Sequence, residues 1–348
     1  MVAFAFSGLR VLITGGAGFI GSHLAERLLQ LNSTVHVVDN LTPYYDVSLK
    51  HEALARLHSL NGTFSLTDIT NYTALYTVTE NFAPHVVVHL AAQAGVRHSL
   101  QFPLQNVQTN VQGTMNVLEV CRSLNISKLV LASSSSVYGE DSEVPFREEE
   151  VSDHPISVYA ASKRSTELFA HVYHTIHKMK ICNLRFFTVY GPRGRPDMAV
   201  FKFIHNQKIS VYGDGTQLRE FTYIDDIVDG VLGAMTRLTD VSYFTVNLGG
   251  GAVHSVNDLI RVIQQVTNKT MQIEYMDKQP GDVLLTQADQ KLAEALIDFR
   301  PKVDLLEGVS RTFQWYLNWR NHTSFEIQLI CYVFYYLCSS VVANGRSN

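Results

Sequence analysis

The feature that most narrows the fold is a glycine-rich turn near the N-terminus. An apolar run, Leu9 to Thr14, leads into Gly15-Gly16-Ala17-Gly18-Phe19-Ile20-Gly21, and residues with helical spacing follow. Glycine lets a backbone turn tightly and come close to a ligand. A strand that ends in such a turn and opens a helix aims unpaired N–H groups at an anion. This is how a parallel α/β sheet holds the pyrophosphate of a dinucleotide. The next apolar run, Thr34 to Asp39, ends on a carboxylate 18 residues beyond Gly21. An acid there accepts hydrogen bonds from the adenosine ribose hydroxyls and repels a 2′-phosphate. Neither Asn40 nor Leu41 supplies an arginine to bind that phosphate, so NAD is expected over NADP.

The rest of the first half repeats this rhythm. Thr63–Leu66, His85–Leu90, Lys128–Ser133 and Ile181–Phe187 read as further strands, and Phe19–Leu31, Pro103–Leu124 and Val158–His177 as helices. The strands are apolar almost throughout, as in a sheet covered on both faces, and the alternation predicts an α/β fold with a doubly wound parallel sheet of Rossmann type. After Thr188 the rhythm loosens, with turns at Gly191-Pro192, Arg195-Pro196 and Gly213 to Gly215, and the chain ends its regular pattern at Leu305–Trp319. The expected organisation is a dinucleotide domain over 1–188, a smaller substrate lobe over 189–320 interleaved with it, and a hydrophobic tail over 321–348.

At 348 residues and 46% hydrophobic, the chain can bury a full core. A net charge of −4 without basic clusters argues against nucleic acid as a partner. The four cysteines, Cys121, Cys182, Cys331 and Cys338, have the spacing of neither a zinc site nor a disulfide framework and read as reduced thiols of a cytoplasmic protein. The N-terminus is too short for a signal peptide before the first strand, and the sequons at Asn61 and Asn71 flank a cofactor candidate, Asp68, so both read as chance matches. The uncharged run Ile327–Ala343 is just short of a comfortable span and contains Gln328 and several Tyr and Ser. It reads as a packed or irregular extension, with a tail anchor as the alternative and the only route to a membrane.

Three elements carry chemistry. Ser133-Ser134-Ser135-Ser136-Val137-Tyr138-Gly139 stands at a strand end. Tyr159-Ala160-Ala161-Ser162-Lys163 follows on a helix, where residues four apart share a face. A neighbouring ammonium favours phenolate, which would lower the Tyr159 pKa and make it a base. Alone, a Tyr-x-x-x-Lys pair is common. The third is Leu184-Arg185-Phe186-Phe187-Thr188, a strand running into a loop.

Together with Asp68-Ile69, His89-Leu90-Ala91-Ala92-Gln93, Asn110 and Arg219-Glu220-Phe221-Thr222-Tyr223-Ile224-Asp225-Asp226, these elements resemble the extended short-chain dehydrogenase/reductase family, the sugar-nucleotide epimerases and dehydratases. The likeness covers residues 9 to about 320. It implies Ser134, Tyr159 and Lys163 as the catalytic set, with Lys163 also bridging the nicotinamide ribose. It implies Gly15, Gly18, Phe19, Ile20 and Gly21 at the pyrophosphate, Asp39 and Asn40 at the ribose, and Asp68 and Ile69 at the adenine. Leu90, Ala91, Ala92, Asn110 and Phe186 complete the implied cofactor set. Arg219 and Asp282 resemble residues that hold UDP, and Val211 and Tyr212 border the implied uridine pocket. The resemblance also implies a homodimer, for which Phe169, Tyr173 and Ile176 with Val107, Val111 and Leu118 offer a helical face.

The serine run bears on the reaction. Relatives that dehydrate the sugar resemble Thr-Asp-Glu before Val-Tyr-Gly, and those that decarboxylate tend to carry Ser-Glu. Here Ser135 and Ser136 stand in those places. Without an acid for elimination, hydride removal and return at C4 remains. The run Gly194-Arg195-Pro196-Asp197-Met198-Ala199, with Thr188, Pro43-Tyr44-Tyr45-Asp46, Leu49-Lys50 and Gln93, resembles the subgroup that 4-epimerises UDP-glucuronate. A C5 carboxylate wants a guanidinium, for which Arg195 is the natural candidate, assisted by Thr188. The alternatives are epimerisation of UDP-glucose or a UDP-N-acetylhexosamine, or a non-catalytic NAD-binding scaffold. No metal site is expected, since His171, His174 and His177 drift around their helix. The segment between Met198 and Ile209 is several residues shorter than the family pattern, and the tail after Asn321 matches none of it.

Overall fold

The computed structural model describes residues 5–140, 142–150, 154–206, 208–277 and 283–322. Asp282 and the tail segment Ile327–Ala343 lie outside the described residues. Strand β1 (Arg10–Thr14) is followed by α1 (Phe19–Gln30), β2 (Thr34–Asp39), α2 (Ser48–Ser59), β3 (Thr63–Leu66), α3 (Tyr72–Phe82) and β4 (Val86–His89). Then come α4 (Val96–Gln101), α5 (Pro103–Val107), α6 (Gly113–Ser123), β5 (Lys128–Ser134), α7 (Val158–His177) and β6 (Lys180–Phe186). The second half adds β7 (Thr188–Tyr190), α8 (Ala199–His205), β8 (Lys208–Tyr212), β9 (Leu218–Tyr223), α9 (Ile224–Arg237) and β10 (Tyr243–Leu248). It closes with β11 (Val253–Ser255), α10 (Val256–Thr267), β12 (Gln272–Met276), α11 (Lys291–Ile297) and α12 (Leu305–His322).

Seven strands form one parallel sheet in the order β10-β6-β5-β4-β1-β2-β3. The chain order reverses between β1 and β4, and the crevice beyond the carboxyl ends of those strands is where such a sheet binds its ligand. Alternate residues explain the apolar runs. Val11 and Ile13 of β1 pack on α1 and α9, through Leu24, Leu28, Ile227 and Val231. Leu12 faces the other way, toward Leu75, Val117 and Leu118. Each such side chain, buried on either face, contributes roughly 1.5–3 kcal/mol.

Three features depart from the sequence reading. The helix expected over Pro103–Leu124 contains a π-helical turn at Gln108–Gln112, which turns the Asn110 amide inward to Gln93, Asn106 and Ser162. The large sheet takes its seventh strand, β10, from the second half of the chain, which is how the two parts interleave. The supposed dimer face is also displaced around its helices: Leu118 is fully buried and Tyr173 nearly so, with its hydroxyl donating to Glu119. Val107 and Ile176 are exposed as expected, and Leu100, Phe102, Leu104, Leu168 and Val172 join them in place of the buried pair. The short segment after Met198 folds as α8, whose Phe201 packs against Trp315, Tyr316 and Trp319 of α12. No helix among the described residues is long and apolar enough to cross a membrane.

Candidate active site

The carboxyl ends of β1, β2, β4, β5 and β6 open onto a cleft of about 720 Å³, closed on its far side by β8, β9 and the loop that carries Arg195. Gly15 begins it. Its amide donates to the Val38 carbonyl at 2.7 Å and its φ is +70°. A Cβ there would lie 2.6 Å from the Ala91 nitrogen, so only glycine lets β1 and β4 close together. Helix α1 then starts at Gly18 with no side-chain cap and no acid in its first turn. An acid would compete for the helix N–H groups, so this end suits a phosphate.

Asp39 is buried and already held: Oδ2 accepts from the Ala17 amide at 3.2 Å, and Oδ1 from the Leu41 amide at 2.8 Å and from Lys50 Nζ at 3.4 Å. Asp68 accepts from Asn40 Nδ2 at 2.9 Å and from the Thr70 amide and hydroxyl at 2.8 and 2.7 Å. Burial raises the Asp68 carboxyl, but these bonds outweigh it and hold it below the usual range. Asn116 clamps the Ile69 and Thr70 carbonyls at 2.9 and 3.0 Å and so fixes the loop behind them. Phe19, Ile20, Gly21, Leu90, Ala91, Ala92 and Phe186 line the same half of the cleft. Asn110 is not among the lining residues. Its amide props the Gln93 backbone from behind, a role for which a sequence offers no period or spacing.

At the seam lie Ser134, Tyr159 and Lys163. Ser157 caps α7 by accepting from the Ala160 amide at 3.0 Å, and the Tyr159 amide donates to Ser99 Oγ at 3.1 Å. The Tyr159 phenol lies beside Ser134, whose hydroxyl donates to Ser136 Oγ at 3.2 Å. Its pKa runs opposite to the sequence expectation. Burial pushes the phenol up, and the groups working against this are the Ser134 hydroxyl and the Arg195 guanidinium. The Lys163 ammonium donates to the Ala132 carbonyl at 2.8 Å. Burial pulls Lys163 down to about 8, opposed by Glu167 one turn further along α7. Glu167 in turn accepts from Ser133 Oγ at 2.6 Å and from Arg185 Nε and Nη2, both at 2.9 Å, beneath the catalytic strand ends.

The other half of the cleft is built from loops. Thr188 opens β7, and Val211 and Tyr212 close β8. The Arg97 guanidinium lies 4.1 Å from the Tyr212 ring centroid, a cation–π contact, and Arg219 Nη1 donates to the Leu218 carbonyl at 2.9 Å. Arg195 faces the cleft, but its fork is engaged. Nε donates to Asp197 Oδ1 at 3.0 Å and Nη2 to Asp197 Oδ2 at 2.6 Å. Tyr44 bridges the pair, accepting from Nη2 and donating to Asp197, each at 3.3 Å. Tyr44, Lys50 and Asp197 stand inside motifs that carry the resemblance but have no expected part, and Arg97 has none either. Only the two-residue spacing of Arg195 and Asp197 could have signalled a pair. The three helix histidines pack instead on aromatic rings: His171 and His174 on Tyr243, and His177 on Tyr173.

The sequence profile of the NAD dependent epimerase/dehydratase family matches residues 11–249. A UDP-glucuronate 4-epimerase of Thermodesulfobacterium geofontis (strain OPF15) is 43% identical over 310 residues, covering 87% of this chain and 95% of that protein. The crystal structure of UDP-glucuronic acid 4-epimerase from Bacillus cereus, in complex with UDP-glucuronic acid and NAD, superposes with a TM-score of 0.82 at 34% identity over 89% of this chain and 99% of that one. A Thermotoga maritima UDP-glucose 4-epimerase bound to UDP-glucose reaches the same TM-score, 0.82, at 31% identity over the same shares, 89% and 99%.

Proposed function

The chain belongs to the NAD-dependent epimerase/dehydratase family, and on that premise we propose that it is a UDP-glucuronate 4-epimerase, interconverting UDP-glucuronate and UDP-galacturonate. The observation that carries the reading is the joint placement in one cleft of a Ser134–Tyr159 pair, serines at 135 and 136, and Arg195. The fold alone does not choose the sugar, since the UDP-glucose enzyme superposes equally well.

The residues present fit NAD. The Gly15 turn and the uncapped start of α1 would hold a pyrophosphate, Asp39 and Asn40 a ribose, and Asp68 and Ile69 an adenine, all of them lining the one cleft. Held there, NAD supplies the acceptor and donor of hydride at C4. Tyr159, as the phenolate that the cationic nicotinamide of bound NAD would favour against the upward push of burial, takes the proton from O4 while Ser134 hydrogen-bonds the same oxygen, and a 4-keto sugar results. The ring turns over in the pocket, Tyr159 returns the proton, and no net redox change occurs. With serines at 135 and 136, no acid stands there to expel water. The intermediate is a β-keto acid. Before and after the turn, Arg195 and Thr188 hold its carboxylate near the carbonyl plane, where the C–C bond does not overlap the carbonyl and CO2 is retained. Val211, Tyr212, Arg219 and Asp282 serve the UDP moiety.

We also propose a homodimer through the apolar helical face, where Leu104 is 84% and Ile176 64% exposed on the adjacent helices α5 and α7. Leu104→Glu with Ile176→Glu should give a monomer by light scattering, and an unchanged mass would remove this face from consideration. The buried unpaired thiols of Cys121 and Cys182 support a cytoplasmic setting. The function itself is tested by separate incubation with UDP-glucuronate, UDP-glucose and UDP-N-acetylglucosamine. Conversion of UDP-glucuronate is expected. Turnover of the neutral sugars alone would sink the uronate assignment, and none at all with NAD bound would leave a scaffold.

A further inference from the structure

Arg195 is mostly enclosed, with 18% of its side chain exposed, whereas Asp197 is 43% exposed. An enclosed guanidinium without a partner is costly. The chain meets that cost with its own carboxylate, presented across Pro196 to the Nε and Nη2 edge of the fork and steadied by Tyr44. A uronate carboxylate has the same planar pair of acceptor oxygens and fits the same fork. The two carboxylates therefore compete for one cation.

We infer that Asp197 is an internal stand-in for the substrate's carboxylate, holding the Arg195 fork between turnovers, yielding it to the sugar and reclaiming it while the ring turns. This rests on the uronate reading above. For C4 to present both faces to one fixed hydride site, the C5 carboxylate sweeps a wide arc and must leave its first position. A free guanidinium would hold it there. With Asp197 at the edge of the fork, Arg195 exchanges one carboxylate for another and is never left unpaired, and Asp197, half-exposed, turns into water when displaced. A neutral hexose offers nothing to exchange and leaves the pair closed. Asp197 thus acts through Arg195, as a positioning residue that sets both selectivity and the freedom of the ring.

The test is a cycle of Asp197→Asn, Arg195→Leu and the double variant, with kcat and KM measured for UDP-glucuronate and UDP-glucose. In Asp197→Asn the KM for UDP-glucuronate should fall about tenfold relative to that for UDP-glucose, the size of a charge-assisted bond partly screened by solvent. Its kcat on the uronate should fall as well, because the carboxylate is released more slowly. In the Arg195→Leu background the substitution should have no such effect. Tyr44→Phe should shift KM in the same direction by less, which keeps the question open to measurement if Asp197→Asn folds poorly. Equal changes on both substrates, or a shift that persists without Arg195, would overturn the role of Asp197 and leave the epimerase reading intact. Wild-type turnover of neutral sugars alone would overturn both.

Discussion

The two halves of the cleft are built on different principles. The dinucleotide half is mainly backbone: the Gly15 turn, the open end of α1, and acids held by nearby amides, as with Asp39 on Leu41 and Asp68 on Thr70, to which the Lys50 and Asn40 side chains add one contact each. The sugar half is side chain on side chain across long stretches of sequence: Arg195 and Asp197 with Tyr44, and Arg97 with Tyr212. A cofactor that stays bound through a cycle without net redox change needs a rigid seat. A sugar that must turn over needs contacts that can be exchanged. The difference follows from what each ligand has to do.

The catalytic seam gives the largest expected effect. Tyr159→Phe removes the proton acceptor and little volume, so turnover should drop by about 10²–10⁴-fold while the purified protein keeps its NAD. Assayed turnover and the cofactor released on denaturation check this. Near-normal activity would mean that the proton goes elsewhere. Next is the rigid half. Gly15→Ala puts a Cβ against the Ala91 backbone at φ +70°, so a loss of about 1–3 kcal/mol and a lower Tm are expected, with co-purified NAD falling in step. A variant with full NAD content and unchanged Tm would break the contrast, since the cofactor seat would then tolerate what the geometry forbids.

The smallest effect is a pH response. Lys163 sits at about 8 in the folded protein against a usual 10.5. Between those values the unfolded chain binds the extra proton, so this group's burial cost is complete below pH 8 and is relieved as pH rises through the window; stability from this source increases with pH. Activity should move the other way. If the ammonium is needed to hold the nicotinamide ribose, kcat should fall by about half near pH 8 and about tenfold per unit beyond it. Glu167→Gln, which removes the charge that opposes the downward shift, should move that limb to lower pH. A flat profile from pH 7 to 10 would show that neutral Lys163 serves as well.

Much of this was legible in the sequence because it is local. A glycine turn, an acid at a strand end and a Tyr/Lys pair four apart on a helix each need only a few neighbouring residues. The period of two in buried strands and of 3.6 in helices places them on the sheet. Ser134, Tyr159 and Arg195 stand in such short runs, and the family resemblance of those runs gives them their expected roles. What the sequence did not decide is pairing over distance. Asp39 meets Lys50 across 11 residues, Asn110 turns inward through a π turn, β10 returns to the sheet, and Tyr44 reaches Arg195 across 151. Burial, likewise, reversed the expected Tyr159 shift. The sequence by itself determined which groups the cleft contains, since backbone geometry and side-chain chemistry are properties of each residue. Only the tertiary structure decided which charges meet and how far water is excluded from them, because both depend on segments that packing alone brings together.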